Sequence, residues 1–146
     1  MSNCCSNHAT KITSGICPTC GTLCKSVEHK TLCHQVKFPE NTELTANKYY
    51  YCSSEECPVG YFSSSSEIIP KQQLRTYQEI KDDKLCYCFD INVSALTASN
   101  AETLKNFVIQ KTKSGDCACE VKNPSGQCCL AKFKILEKNN LQSAQF

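Results

Sequence analysis

The chain is 146 residues long, has a formal net charge of +2, and contains 14 cysteines, no tryptophan and only 8% aromatic residues. Its lysines and arginines are mixed with acidic residues and form no basic stripe, so the charge pattern gives no support to a nucleic-acid partner and we expect none. No stretch contains the roughly 18 apolar residues that a membrane-spanning helix needs, so we expect no membrane insertion.

Cysteine chemistry, rather than a large apolar core, is expected to hold this fold together. Fourteen cysteines in 146 residues approach the content typical of cysteine-built scaffolds. The amino-terminal residues show neither the apolar core nor the small-residue cleavage motif of a secretory signal. We therefore predict a cytoplasmic protein whose thiols are reduced and bind metal, because disulfide frameworks belong mainly to oxidising compartments.

The chain divides into four predicted segments. The first is polar and aperiodic, the second is rich in aromatic strand patterns, the third carries mixed charges, and the fourth has helical periodicity. In order they are a mobile tail (1–14), a β-rich lobe (15–66), a connector (67–84) and a helical lobe (85–146). The predicted fold class is therefore α+β, with a small β-rich lobe followed by a short helical lobe.

The β-rich lobe contains two cysteine motifs, Cys17-Pro-Thr-Cys20 and Cys52-Ser-Ser-Glu-Glu-Cys57. Aromatic runs before and after the second motif predict a β-hairpin with these cysteines near its tip. A cysteine turn points two sulfur atoms to one side, so two such turns offer four thiolates at about 2.3 Å from one ion in tetrahedral array. We expect a structural zinc ion on which the lobe depends for its stability.

Other residues between the two motifs could replace one of these ligands. The alternatives are Cys24, Cys33 and His34. We interpret His34 as a partly exposed strand residue.

The helical lobe is predicted mainly from residues 92–141. Asn100 is a suitable cap for a helix over Ala101–Lys113, and Gly115 is a suitable left-handed residue just beyond its end. The segment Leu130–Leu141 has a mixed apolar pattern that fits either a strand or a helix.

Six cysteines in the helical lobe form a second candidate metal site, with more thiols than four positions require. They are Cys86, Cys88, Cys117, Cys119, Cys128 and Cys129. Their spacing suits a [2Fe–2S] cluster better than zinc, and a second zinc site is the alternative. Adjacent residues of an extended segment point in opposite directions, so we expect only one of the last two thiols to face the metal.

Two sequence patterns resemble the N-terminal domain of CopZ-type copper chaperones. One is Cys86-Tyr-Cys88 followed by Cys119-Glu-Val-Lys-Asn-Pro-Ser-Gly-Gln-Cys128-Cys129, and the other is Cys-Pro-x-Cys with Tyr-x-Cys-x4-Cys-x3-Tyr-Phe upstream. The cluster part of that domain is similar to bacterioferritin-associated ferredoxin. The resemblance covers about residues 15–132. It implies zinc on Cys17, Cys20, Cys52 and Cys57, and a [2Fe–2S] cluster on Cys86, Cys88, Cys119 and Cys129.

The chain also departs from this family. CopZ-type chaperones carry a further domain with a Met-x-Cys-x-x-Cys copper loop, whereas the single methionine here is Met1. Copper delivery would therefore need a separate protein or another thiol pair. Cys4 and Cys5, with His8 nearby, are the candidate pair, which we interpret as a decoration of the tail.

The resemblance implies an iron–sulfur and zinc protein that transfers single electrons in copper handling, reducing Cu(II) to Cu(I) and holding Cu(I) only transiently. Its expected partners are metal ions and a copper-handling protein or an electron donor. The alternative is a non-redox interaction module with two structural zinc ions. No Ser/His/Asp or paired-carboxylate constellation is recognisable, so we expect no enzyme activity beyond metal-ion reduction.

Overall fold

The computed structural model describes residues 13–143, with side chains described as far as Leu136, and shows an α+β fold. The strands are β1 (Ser14–Ile16), β2 (Leu23–Val27), β3 (Tyr49–Tyr51), β4 (Val59–Ser63), β5 (Ile68–Pro70), β6 (Lys84–Cys86) and β7 (Ile91–Asn92). The α-helices are α1 (His29–Gln35), α2 (Tyr77–Lys81), α3 (Ala101–Lys113), α4 (Cys119–Lys122) and α5 (Leu130–Ser143). None of the described helices has the length and apolar character needed to cross a membrane.

The first lobe is an antiparallel sheet of five strands in sequential order, from β1 to β5. Residues alternate between the two faces of a strand, and β4 contributes to the core on both sides. Phe62 packs with the cysteines of the first motifs, whereas Tyr61 packs with Leu32 of α1 and with Val36, which directly follows α1. One face of the sheet therefore packs against α1, and Phe62 on the other face packs toward the cysteine motifs.

Hairpin connections place the cysteine motifs where the sequence predicted them. Cys17 and Cys20 lie in the turn between β1 and β2, and Cys52 and Cys57 lie in the loop between β3 and β4. Gly21 has a φ of +77°, a conformation that glycine adopts without steric cost, and its amide donates to the Cys17 carbonyl at 2.9 Å. The tight turn brings the chain back into β2.

Residues 67–84 differ from the expected connector. β5 pairs with β4 as the last strand of the sheet, and Leu74 is fully buried opposite Val36 in an isolated bridge. The mixed charges of this segment led to the prediction of a connector. The short apolar stretch before those charges nevertheless forms β5 and pairs with the sheet. The predicted tail lies outside the described residues except for Thr13 and Ser14, and β1 already begins at Ser14.

The second lobe packs α3 and α5 against the β6–β7 hairpin. Its core is formed by Leu85, Cys86, Ile91, Val108, Cys129 and Phe133. The predicted helix over Ala101–Lys113 is confirmed, with Gly115 at a φ of +80° beyond its end. The Asn100 side chain makes no capping bond; its Oδ1 instead accepts from the Thr97 amide at 2.8 Å.

Candidate metal centres

The first cysteine set converges on a single point. The Sγ atoms of Cys17, Cys20, Cys52 and Cys57 all lie within 4.8 Å of one another. Cys17 and Cys57 are 3.9 Å apart, and Cys20 and Cys52 are 3.5 Å apart. Sulfur atoms at about 2.3 Å from a tetrahedral ion are separated by about 3.8 Å, so these thiols fit a tetrathiolate zinc site.

Pairing of β2 with β3 holds the two cysteine turns side by side, because Lys25 lies opposite Tyr51 in the sheet. Three of the four thiols are buried, and Cys20 is exposed. The site therefore lies at one end of the sheet, with its Cys20 side open to solvent.

Cys20 and Cys52 differ in their readiness to lose a proton. Hydrogen bonding to Thr22 lowers the pKa of Cys20 to about 6, and its Sγ lies 3.1 Å from the Thr22 hydroxyl. Burial raises the pKa of Cys52. A zinc ion must displace the proton of Cys52 on binding, so we expect zinc affinity to fall as the pH falls.

Lys71 supports the first cysteine site, a role that the sequence did not predict. It is only 5% exposed, and its Nζ donates to the carbonyls of Ser54 (2.9 Å), Cys57 (2.7 Å) and Val59 (2.8 Å). A buried ammonium needs such partners to offset the cost of leaving water. It braces the loop that carries Cys52 and Cys57, and its positive charge would partly offset the formal charge of −2 on a tetrathiolate zinc centre. No sequence pattern marks one lysine in a charge-mixed segment as buried.

Replacing Lys71 by methionine should destabilise the zinc-bound protein by about 3 kcal/mol, since hydrogen bonds to a charged group are lost and buried carbonyls are left unpaired. Chemical denaturation followed by circular dichroism measures this change. Lys48→Met removes an exposed lysine and is the matched control. Equal stabilities of the two variants would contradict the bracing role.

The second cysteine set is also brought together by the fold. Cys86 ends β6, Cys88 follows it in the turn before β7, and Cys119 begins α4. The Sγ atoms of Cys88 and Cys119 are 3.4 Å apart, and the Ala118 amide donates to Cys88 Sγ at 3.1 Å. The Cys86 thiol hydrogen-bonds with Cys129, an interaction that lowers the pKa of Cys86.

This second arrangement is less compact than the first. Among the described residues, the first set is the one group of three or more potential ligands whose ligand atoms all lie within 4.8 Å of each other. The contacts in the second set run from Cys88 to Cys119 and from Cys129 to both Cys86 and Cys119, so its four thiols form a connected but more extended group.

Cys128 and Cys129 differ in burial. Cys129 is 3% exposed and hydrogen-bonds with Cys119, Cys86 and also Cys128. That only one of the two thiols faces the metal stays a prediction, and Cys129 is the more buried of the two. Cys128 is half-buried and lines a groove of about 510 Å³ between the two lobes.

The remaining cysteine and histidine predictions have mixed outcomes. Cys117 is disulfide-bonded, so the expectation of reduced thiols fails there and Cys117 is not a candidate ligand. Cys24 is buried beside the first site, with its Sγ 3.2 Å from the Thr22 carbonyl, but is not one of the four clustered thiols. Cys33 and His34 lie on α1, so the interpretation of His34 as a strand residue is wrong, although it is exposed. Cys4, Cys5 and His8 lie outside the described residues.

Comparisons with known proteins agree with this geometry. The zinc binding domain family zf_CopZ matches residues 14–75. The crystal structure of the Archaeoglobus fulgidus CopZ N-terminal domain is similar, with 28% sequence identity and a TM-score of 0.66 over 84% of this chain and 98% of that one. No curated protein sequence matches the chain significantly. These findings show that residues 14–75, which contain the four-cysteine group, are similar to the CopZ zinc-binding domain, and that the chain folds like the CopZ N-terminal domain.

Proposed function

We propose that the protein holds zinc on its first cysteine set and a [2Fe–2S] cluster on its second, and that it serves one-electron transfer in copper handling. The zinc ligands are Cys17, Cys20, Cys52 and Cys57, and the cluster ligands are Cys86, Cys88, Cys119 and Cys129. The observation that carries the proposal is the contrast between the two sets. The first is compact enough for one ion, whereas the second is a more extended group of connected thiols, as a two-iron cluster with two thiolates on each iron would need.

The two sites would have different tasks. Zinc does not change its oxidation state, so the first site supports the fold. A bound [2Fe–2S] cluster supplies one-electron chemistry. The protein residues would hold it in a largely buried setting, and the Ala118 amide would stabilise negative charge on the Cys88 sulfur.

Copper is the proposed electron acceptor because the chain resembles copper chaperones. The one-electron reduction of Cu(II) gives Cu(I), a soft ion that thiolates prefer. We propose a cytoplasmic location, since the cysteines of both sites form no disulfide and reducing compartments keep thiols in that state. A copper-handling protein or an electron donor would then be the physiological partner.

Rapid mixing of the dithionite-reduced, iron-reconstituted protein with Cu(II) under anaerobic conditions tests this function. We expect rapid change in the visible spectrum of the protein and Cu(I) that a chromogenic chelator captures, with one Cu(I) formed for each electron lost. The Cys88→Ser variant, which keeps the zinc ligands, is the control. A reduced visible spectrum that persists after copper addition would exclude copper reduction and favour a general ferredoxin-like role.

Colour and metal content separate the main proposal from the alternative. A red-brown protein with one zinc per chain supports the two-centre proposal. A colourless protein that binds two zinc ions would instead support a non-redox interaction module.

A further inference from the structure

Three side chains of the zinc lobe donate hydrogen bonds to one backbone segment of the second lobe. We call Thr31, Gln35 and Tyr61 the template donors, and residues 120–124 the ligand segment, because it follows Cys119 and leads to Cys128 and Cys129. The bonds run from Thr31 Oγ1 to Glu120 O (2.6 Å), from Gln35 Nε2 to Val121 O (2.8 Å) and Lys122 O (3.1 Å), and from the Tyr61 hydroxyl to Pro124 O.

The template donors are unusually buried for polar residues. Thr31, Gln35 and Tyr61 are 1%, 2% and 0% exposed. Buried polar groups are retained when they find partners, and here the partners are carbonyls of α4 and the turn after it. A four-residue helix leaves its last carbonyls without partners inside the helix, so donors from α1 satisfy groups that α4 cannot.

The orientation of Gln35 and the protonation state of Tyr61 are themselves set by the surrounding structure. Thr76 Oγ1 donates to Gln35 Oε1 at 2.6 Å, which turns the amide nitrogen of Gln35 toward the ligand segment. Burial raises the pKa of Tyr61 well above its ordinary value, so its hydroxyl stays protonated and donates. These donors are therefore preorganised for the ligand segment.

Close packing supports the same contact. Gly126, just after the ligand segment, has a φ of +71°, and a Cβ atom there would lie 2.9 Å from Thr31 Oγ1. The turn can approach α1 closely only because this residue has no side chain.

The template donor Tyr61 is connected through β4 to the loop that carries Cys52 and Cys57. Tyr61 lies in β4, whose first residue Val59 follows Cys57 by two positions. The ring of Tyr61 packs against Tyr51, the residue before Cys52, with ring centroids 5.6 Å apart. Tyr61 also packs with Leu32 of α1 and with Val36, which directly follows α1. Order in the β3–β4 hairpin therefore sets the positions of both Tyr61 and α1.

We propose that the zinc lobe is a template for the second metal centre: zinc binding orders Thr31, Gln35 and Tyr61, which hold the ligand segment so that Cys119 meets its partner thiols. Zinc occupancy then raises the metal affinity of the second set, and by linkage a metal in the second set raises zinc affinity. The inference rests on the proposed function for the identity of the second metal, but the ordering of the ligand segment does not depend on it.

Two variants test the template in the full chain. Gln35→Leu leaves two carbonyls without their donor, and Tyr61→Phe removes one hydroxyl while keeping the ring. We expect both to retain one zinc per chain, to show at least tenfold faster amide hydrogen exchange in residues 118–127, and to retain less iron after reconstitution with iron and sulfide. Gln72→Leu, at an exposed position of the same lobe, is the matched control and should behave as the parent protein.

Hydrogen exchange before iron reconstitution distinguishes failure of the template from failure of the proposed function. Removing zinc with a chelator should accelerate exchange in residues 118–127 of the parent protein. Unchanged exchange there in both zinc-loaded variants, or after zinc removal, would overturn the template. If the parent protein took up no iron, the cluster proposal would fail, and the exchange measurements would still decide whether the zinc lobe orders the ligand segment.

Discussion

Replacing Cys52 by serine should remove about one equivalent of zinc and unfold the sheet that surrounds the site. Cys52 is completely buried and lies 3.5 Å from Cys20, so no water or neighbouring exposed group can take its place without rearrangement. Structural zinc binding contributes about 10–16 kcal/mol in zinc-finger peptides. Net domain stability is about 5–15 kcal/mol. The loss of even part of the zinc-binding energy should therefore exceed what the small sheet can tolerate.

Metal analysis and circular dichroism of the purified variant measure both effects. Cys33→Ser is the matched control, because Cys33 is a free, half-buried thiol on α1 outside the four-thiol group. It should retain zinc and strand content. An unchanged zinc stoichiometry in Cys52→Ser would show that the four thiols do not form the zinc site.

Serine substitutions in the second set should have the largest effect on the visible spectrum of the iron-reconstituted protein. Cys86→Ser, Cys88→Ser and Cys119→Ser should each abolish or strongly shift the absorption, because serine is a harder and less readily ionised ligand than a thiolate. These variants keep the zinc ligands and should retain zinc. Electron paramagnetic resonance of the dithionite-reduced protein provides a second measurement. Unaltered spectra in all three variants would exclude the proposed ligand set.

The last pair of cysteines provides an internal comparison. We expect Cys129→Ser to perturb the spectrum more than Cys128→Ser, because Cys129 is buried in the lobe core and hydrogen-bonds with both Cys86 and Cys119. Cys4→Ser and Cys5→Ser should leave the spectrum unchanged. Loss of absorption in Cys128→Ser, with retention in Cys129→Ser, would reverse the assignment.

Features that depend on a few consecutive residues were predictable from the sequence. The two cysteine turns, the hairpin around Cys52 and the helix Ala101–Lys113 are confirmed as elements because turn geometry and periodicity are local properties. The sequence after Leu130 did not decide between a strand and a helix, since the mixed apolar pattern of this segment suits both. The helix forms there with Phe133 buried in the core of the second lobe.

Only the tertiary structure decided which residues support the two sites. Lys71 reaches carbonyls 12 to 17 positions away, and Gln35 reaches carbonyls 86 and 87 positions away. Lys71 and Gln35 support the sites because the fold buries their side chains beside backbone carbonyls that need a hydrogen-bond donor. Residue spacing in the sequence does not reveal such a contact. Residue types and spacing thus identified the thiols, whereas long-range packing determined how they are held and how the two centres are connected.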